Sequence, residues 1–161
     1  MSTVEERLSE LGLTVPEVAA PVAAYVPALR NGNLVFTSGQ LPMRDGKLDA
    51  TGKVGDGHGL VPAAEAKDLA ALCALNAIAA IKSVVGDLEK VTQVVKVVGF
   101  VASDPGFTGQ PAVINGASEL LGTAFGDKGT HARSAVGVAA LPLDAPVEVE
   151  VVVEVSTGVA H

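Results

Sequence analysis

Tryptophan is absent from this chain, tyrosine occurs once and aromatics make up only 3% of the residues. Nucleic acid is therefore a poor partner, because single strands are usually held by base stacking on aromatic side chains. The charge balance agrees. Lys and Arg number 11 against 18 Asp and Glu, for a net charge of -7. An acidic surface repels the phosphate backbone that basic residues would otherwise neutralise.

A single cysteine, Cys73, rules out an internal disulfide. The first ten residues carry Glu5, Glu6 and Glu10 and no apolar stretch of the signal-peptide kind. The most apolar run, Leu69 to Ile81, is broken by Asn76. It falls short of the roughly 20 residues that span a bilayer. The expectation is a soluble, cytoplasmic chain with no membrane partner. Three histidines, His58, His131 and His161, lie far apart without ligand spacing, so no metal site is expected. Dinucleotide, P-loop and serine-hydrolase motifs are missing as well.

What is present is small and aliphatic. Hydrophobic residues reach 48%, mostly Ala and Val, over 161 residues. That suits one domain over 1–161, with residues 1–20 as an N-terminal helical extension. Small side chains bury little area each, which favours further burial through self-association.

Val4 to Leu11 reads as a short amphipathic helix capped by Ser2 or Thr3, with an acidic residue three positions on. Ala24 to Leu29 and Leu34 to Leu41 read as strands around Asn31-Gly32, a hairpin signal. Met43 to Pro62 reads as a Gly- and Asp-rich loop. Ala63 to Val85 and Pro111 to Phe125 read as helices, each followed by glycine. Val91 to Ala102, Ala132 to Leu141 and Val147 to Ser156 read as strands. The order β-β-α-β-α-β-β predicts an α+β fold with two helices on one face of a mostly antiparallel sheet.

The last strand places Val147, Val149, Val151, Val153 and Val155 on one face, and Glu148, Glu150 and Glu154 on the other. The valines should meet the helices. The carboxylates should face water or a second subunit, with Lys96 available to one of them.

Four segments together resemble the Rid (YjgF-type, L-PSP endoribonuclease-like) family. They are Asn33-Leu34-Val35-Phe36-Thr37-Ser38-Gly39-Gln40-Leu41-Pro42, then Val94 to Val101 with Asp104 and Phe107, then Val113-Ile114-Asn115, and finally Ala132-Arg133-Ser134-Ala135-Val136-Gly137 through Pro142 with Val147-Glu148-Val149-Glu150. The resemblance runs from about Val22 to Val155 and leaves the N-terminal helix outside. It implies a chorismate-mutase-like fold, three protomers closing a barrel from their sheets, and a cleft at each subunit interface. The implied activity is hydrolysis of small reactive 2-imino acids to 2-keto acids and ammonia. No cofactor is implied, since the substrate already carries a polarised C=N bond. A non-enzymatic trimer that binds small carboxylates is the alternative, and an endoribonuclease a lesser one.

The residues concerned carry more than one reading. Arg133 suits a carboxylate held bidentately, or else pairs with Glu148 or Glu150. By resemblance it anchors the substrate carboxylate. Glu148 matches the position that handles water, or else it is solvated or paired with Lys96. Tyr25 matches a first-strand tyrosine whose hydroxyl reaches the cleft, or else packs at an interface. Ser38 and Gly39 resemble the cleft wall, with a bulge as the other reading. Asn115 bonds across the interface or caps its helix. His131 touches the cleft or sits on the surface. Ala135 stands where many active relatives carry cysteine, a position thought to act through its backbone N–H. The 43–62 region matches the family poorly, which leaves the substrate open.

Overall fold

The computed structural model describes residues 2–157; His161 lies outside them. The elements are α1 (Val4–Glu10), β1 (Ala28–Asn31), β2 (Leu34–Thr37), β3 (Met43–Arg44), β4 (Lys47–Leu48), α2 (Ala63–Val85), β5 (Val91–Ala102), α3 (Gln110–Phe125), β6 (Ala132–Val138) and β7 (Val147–Val155). Five strands form one sheet in the order β1-β2-β7-β5-β6. Every neighbouring pair is antiparallel except β5 and β6, which run parallel. That exception follows from α3, which carries the chain from the end of β5 back to its start.

α2 and α3 pack side by side and cover one face of the sheet. The valines at 147, 149, 151, 153 and 155 are buried beneath them, as their alternation predicts. The helices supply Ile78, Ile81, Ile114 and Leu121 to the same core. α2 is long and apolar enough by length and composition to cross a bilayer, yet 72% of its apolar window is buried in this fold.

The N-terminal helix belongs to that core. Thr3 caps it through a reciprocal pair with Glu6, and Val4 and Leu8 are buried. Arg7 donates to the Ala124 carbonyl near the end of α3 at 2.9 Å.

Several boundaries depart from expectation. β1 starts at Ala28 rather than Ala24. Pro27 has no N–H for the ladder, and the Tyr25 N–H turns back onto the Ala23 carbonyl. The β1–β2 loop is Gly32-Asn33, and Gly32 takes φ 62° at the first loop position. β2 stops at Thr37; beyond it only Gln40 bridges to Val149. The 43–62 region is not all loop. β3 and β4 form a hairpin there, closed by Asp45 and Gly46 at φ 53° and 79°.

The other face of the sheet carries no helix. Register places Leu29, Phe36, Val152 and Lys96 in one row across it. A second row holds Glu150, Val98 and Ser134, and a third Glu148, Phe100 and Val136. Leu29, Phe36 and Val136 are exposed. Lys96 has no ion-pair partner among the described residues, so the expected Lys96–carboxylate pair does not form.

Candidate functional site

Arg133 lies on β6, an edge strand, opposite the buried Val97. Pairing with Val97 turns its side chain to the helix-covered face. There the guanidinium meets only neutral groups. Nη1 donates to Asn115 Oδ1 at 2.7 Å and to Ser118 Oγ at 3.2 Å, and Nη2 donates to the Pro111 carbonyl at 3.2 Å. All three acceptors come from α3, so one helix fixes the orientation of the group. Neither Glu148 nor Glu150 pairs with it. Of the five guanidinium N–H groups, the one on Nε and one on Nη2 have no acceptor among the described residues. The positive charge is half-buried and not neutralised.

Two further residues stand behind this arginine. His131 Nδ1 lies 2.6 Å from the Gly129 carbonyl, and Nε2 lies 2.8 Å from Ser118 Oγ. A carbonyl can only accept, so Nδ1 carries a proton. In the neutral ring Nε2 then accepts from Ser118, whose oxygen is left to accept from Arg133. His131 is thus not a plain surface residue.

Asn115 does not cap its helix. It sits in the second turn of α3 and its oxygen is taken by Arg133; the cap position is Gly109. Ala135 shares the side of β6 that holds Arg133 and packs on the core opposite Gly99. The outer edge of β6 has no neighbouring strand, so half of its backbone groups are unpaired in the sheet.

Glu148 projects from the opposite, uncovered face. It is half-buried, and its carboxyl is pushed above the ordinary range, first by burial and then by the like charge of Glu150. Gly39 lies directly against it. A Cβ at position 39 would fall 1.8 Å from Glu148 Oε1, so only glycine lets the carboxylate lie there. Ser38 joins two segments beside it. Its hydroxyl donates to the Val26 carbonyl at 2.6 Å and its N–H to Pro27, which tie the chain before β1 to the end of β2. Tyr25 follows in that tied segment rather than in a strand. It is 44% exposed, its hydroxyl accepts from the Val22 N–H at 3.3 Å, and it shares a small recess with Gly39, Gln40 and Leu41.

The sequence-predicted residues therefore fall into two groups. Arg133, Asn115 and Ala135 occupy one edge and the helix-covered side. Glu148, Gly39, Ser38 and Tyr25 gather two strands away on the uncovered side. Cys73 is buried, its thiol donating weakly to the Val147 carbonyl at 3.8 Å and pushed up by burial. No group of three or more His, Cys, Asp or Glu gathers among the described residues.

An α+β chain with two helices on one side of its sheet, an uncovered mixed face and a cation at the edge defines the chorismate-mutase-like class. The family model described as "YjgF/chorismate mutase-like, putative endoribonuclease" matches residues 5–155. The chain belongs to this Rid (YjgF-type) family, and the match reaches into α1, further than the resemblance from Val22 had indicated. It is 42% identical over 154 residues to Protein TCP17 of Trypanosoma cruzi, covering 95% of this chain and 94% of the relative. Among solved structures it is similar to the protein Atu1372, of unknown function, from Agrobacterium tumefaciens. That likeness has 48% identity, 95% and 92% coverage, and a TM-score of 0.86. A "putative endoribonuclease" from Shewanella oneidensis superposes with TM-score 0.91 at 33% identity, covering 96% of this chain and all of that one.

Proposed function

We propose that the chain hydrolyses small 2-imino acids to 2-keto acids and ammonia, in clefts between the copies of a homotrimer. The observation that carries this reading is the unneutralised Arg133, oriented by α3 with two N–H groups free. Such a fork suits one carboxylate. The separation of the two residue groups supports the oligomer. One chain presents Arg133 and Glu148 to opposite sides of its sheet, so a single ligand meets both only when two chains contribute. Exposed Leu29, Phe36 and Val136 on the uncovered face give copies an apolar surface to bury.

In this reading Arg133 holds the substrate carboxylate and sets C2 beside Glu148 of a neighbouring copy. Glu148 accepts a proton as water adds to C2, and the C=N double bond becomes a single bond. The proton passes to the nitrogen, giving a carbinolamine; Glu148 then moves the hydroxyl proton to that nitrogen, the C–N bond breaks, and ammonia leaves as the C=O bond forms. A carboxyl raised by burial is a better base for this than an ordinary glutamate. Tyr25 and the backbone at Gly39 bound the same space. The residues act without a cofactor, and the cytoplasm, where amino-acid metabolism generates such imines, is the proposed compartment.

An endoribonuclease, the name some relatives carry, fits less well, because a net charge of -7 opposes binding to a polyanion. The test generates an imine with an amino-acid oxidase and traps what remains with semicarbazide. The protein should speed imine loss, and Arg133→Ala should lower kcat/KM by about 100-fold, the worth of a charge-assisted bidentate contact near 3 kcal/mol. Keto-acid binding with no hydrolysis would replace this reading with a carboxylate-binding trimer.

A further inference from the structure

A larger cavity, of about 720 Å³, lies away from Arg133 between the 12–20 segment, the β3–β4 hairpin and α2, and shares Ala19, Ala20 and Met43 with the recess of Tyr25 and Gly39. Its volume is that of a pocket for a small organic molecule. Leu13, Val15, Val18, Met43, Leu72 and Leu75 make its walls apolar.

Asn76 lies among them and is only 3% exposed. Its Nδ2 donates to the carbonyls of Leu41 and Met43 at 3.1 and 2.9 Å, which uses both amide protons. Its Oδ1 accepts from no described residue. No fully buried side-chain oxygen or nitrogen lacks a partner among the described residues, so this oxygen keeps some exposure, and the cavity is the space that Asn76 lines. An acceptor set so deep among apolar walls calls for a donor. At the mouth stand Glu17 and Asp45, both exposed and neither in an ion pair among the described residues. Arg44, the cation on the same rim, is already engaged by Asp49 at 3.2 Å.

We propose that this cavity binds an amphipathic cation: an apolar body with a neutral N–H or O–H donor at its inner end and an ammonium at its outer end. The inner donor meets Asn76 Oδ1. The ammonium sits at the rim by Glu17 and Asp45, where it stays hydrated. An anion is excluded at both ends, since acceptor would face acceptor inside and carboxylate would face carboxylate outside. The ligand charge is thus opposite to that favoured by Arg133, and the site stands independently of the proposed hydrolysis.

The test uses the full-length chain and tryptamine, with indole-3-acetate as the probe of the same ring and opposite charge. The comparison is made in Arg133→Ala, so that the arginine cannot take the acetate. Tryptamine should bind saturably, one per chain, and at least about tenfold more tightly than indole-3-acetate, or about 1.4 kcal/mol. Amide shifts in NMR should concentrate in residues 12–20, 43–46 and 72–76. Glu17→Gln with Asp45→Asn should cut the preference below about threefold, the electrostatic share of it. Val18→Trp, at an exposed position on the wall, should fill the mouth and weaken tryptamine at least about tenfold with Tm unchanged. No saturation at millimolar tryptamine, equal binding of the acetate, or shifts centred elsewhere would overturn the proposal.

Discussion

Arg133 and Glu148 owe their chemistry to what surrounds them in the fold. Arg133 stays charged without an acidic partner because Asn115, Ser118 and the Pro111 carbonyl give it neutral acceptors. Glu148 is held in a protonation-prone state by burial and Glu150. Its folded pKa lies above the unfolded one, so between the two values the folded chain keeps a proton that the unfolded chain has lost. Stability from this group therefore declines as pH rises through that window. Glu148→Gln cannot ionise. Its denaturant midpoint should lack the decline and exceed that of the parent at neutral pH, while imine hydrolysis falls by a factor of about 100 or more. Gly39 tests the same contact from its other side. Gly39→Ala should push the Glu148 carboxylate aside and cost at least about tenfold in kcat/KM, with the fold kept, because the clash is with the end of a flexible side chain. Much of this was legible in the sequence: the Ala-Arg-Ser and Val-Glu-Val-Glu segments marked Arg133 and Glu148. The support from Ser118 and His131 was not. Those residues lie 15 and 2 positions from Arg133, and only the return of α3 onto β6 sets Ser118 between His131 and the guanidinium.

Secondary structure was easiest to read where periodicity is long. α2, α3, β5 and β7 fall where apolar spacing, β-branching and terminal glycines put them. The misread pieces are short and depend on turns. Pro27 delays β1 and moves Tyr25 out of the strand, and Asp45-Gly46 makes a hairpin in a region with no apolar alternation to announce it. The packing of α2 on α3 also rests on one unadvertised residue. At Gly116 a Cβ would lie 1.9 Å from the Lys67 backbone carbonyl, which no side-chain rotation can relieve. Gly116→Ala should separate the helices and destabilise the chain by about 3 kcal/mol, the upper range for overpacking, read as a lowered denaturant midpoint. Chain-wide retention of the midpoint would show that the helices can part at no cost.

At the scale of the whole molecule, one chain holds two separate sets of groups. β6 offers an open edge beside Arg133, and the uncovered face offers Phe100 and Val136 in the row of Glu148, with Val98 in the next row and Phe36 in the one beyond. Composition raised the expectation of association, because a core of Ala and Val leaves area to be buried between chains. The alternation in β7 foreshadowed the two-sided sheet. Which residues meet across copies depends on assembly geometry, and one chain's sequence does not encode that in any local pattern. The most direct measurement mixes two impaired variants, Arg133→Ala and Glu148→Gln, under conditions that let subunits exchange, and follows semicarbazide-trapped imine. Mixed oligomers contain clefts with the arginine of one parent and the glutamate of the other, so activity should return to a fraction of the parent value. Exchange demonstrated by mass spectrometry with no recovered hydrolysis would contradict a site shared between subunits.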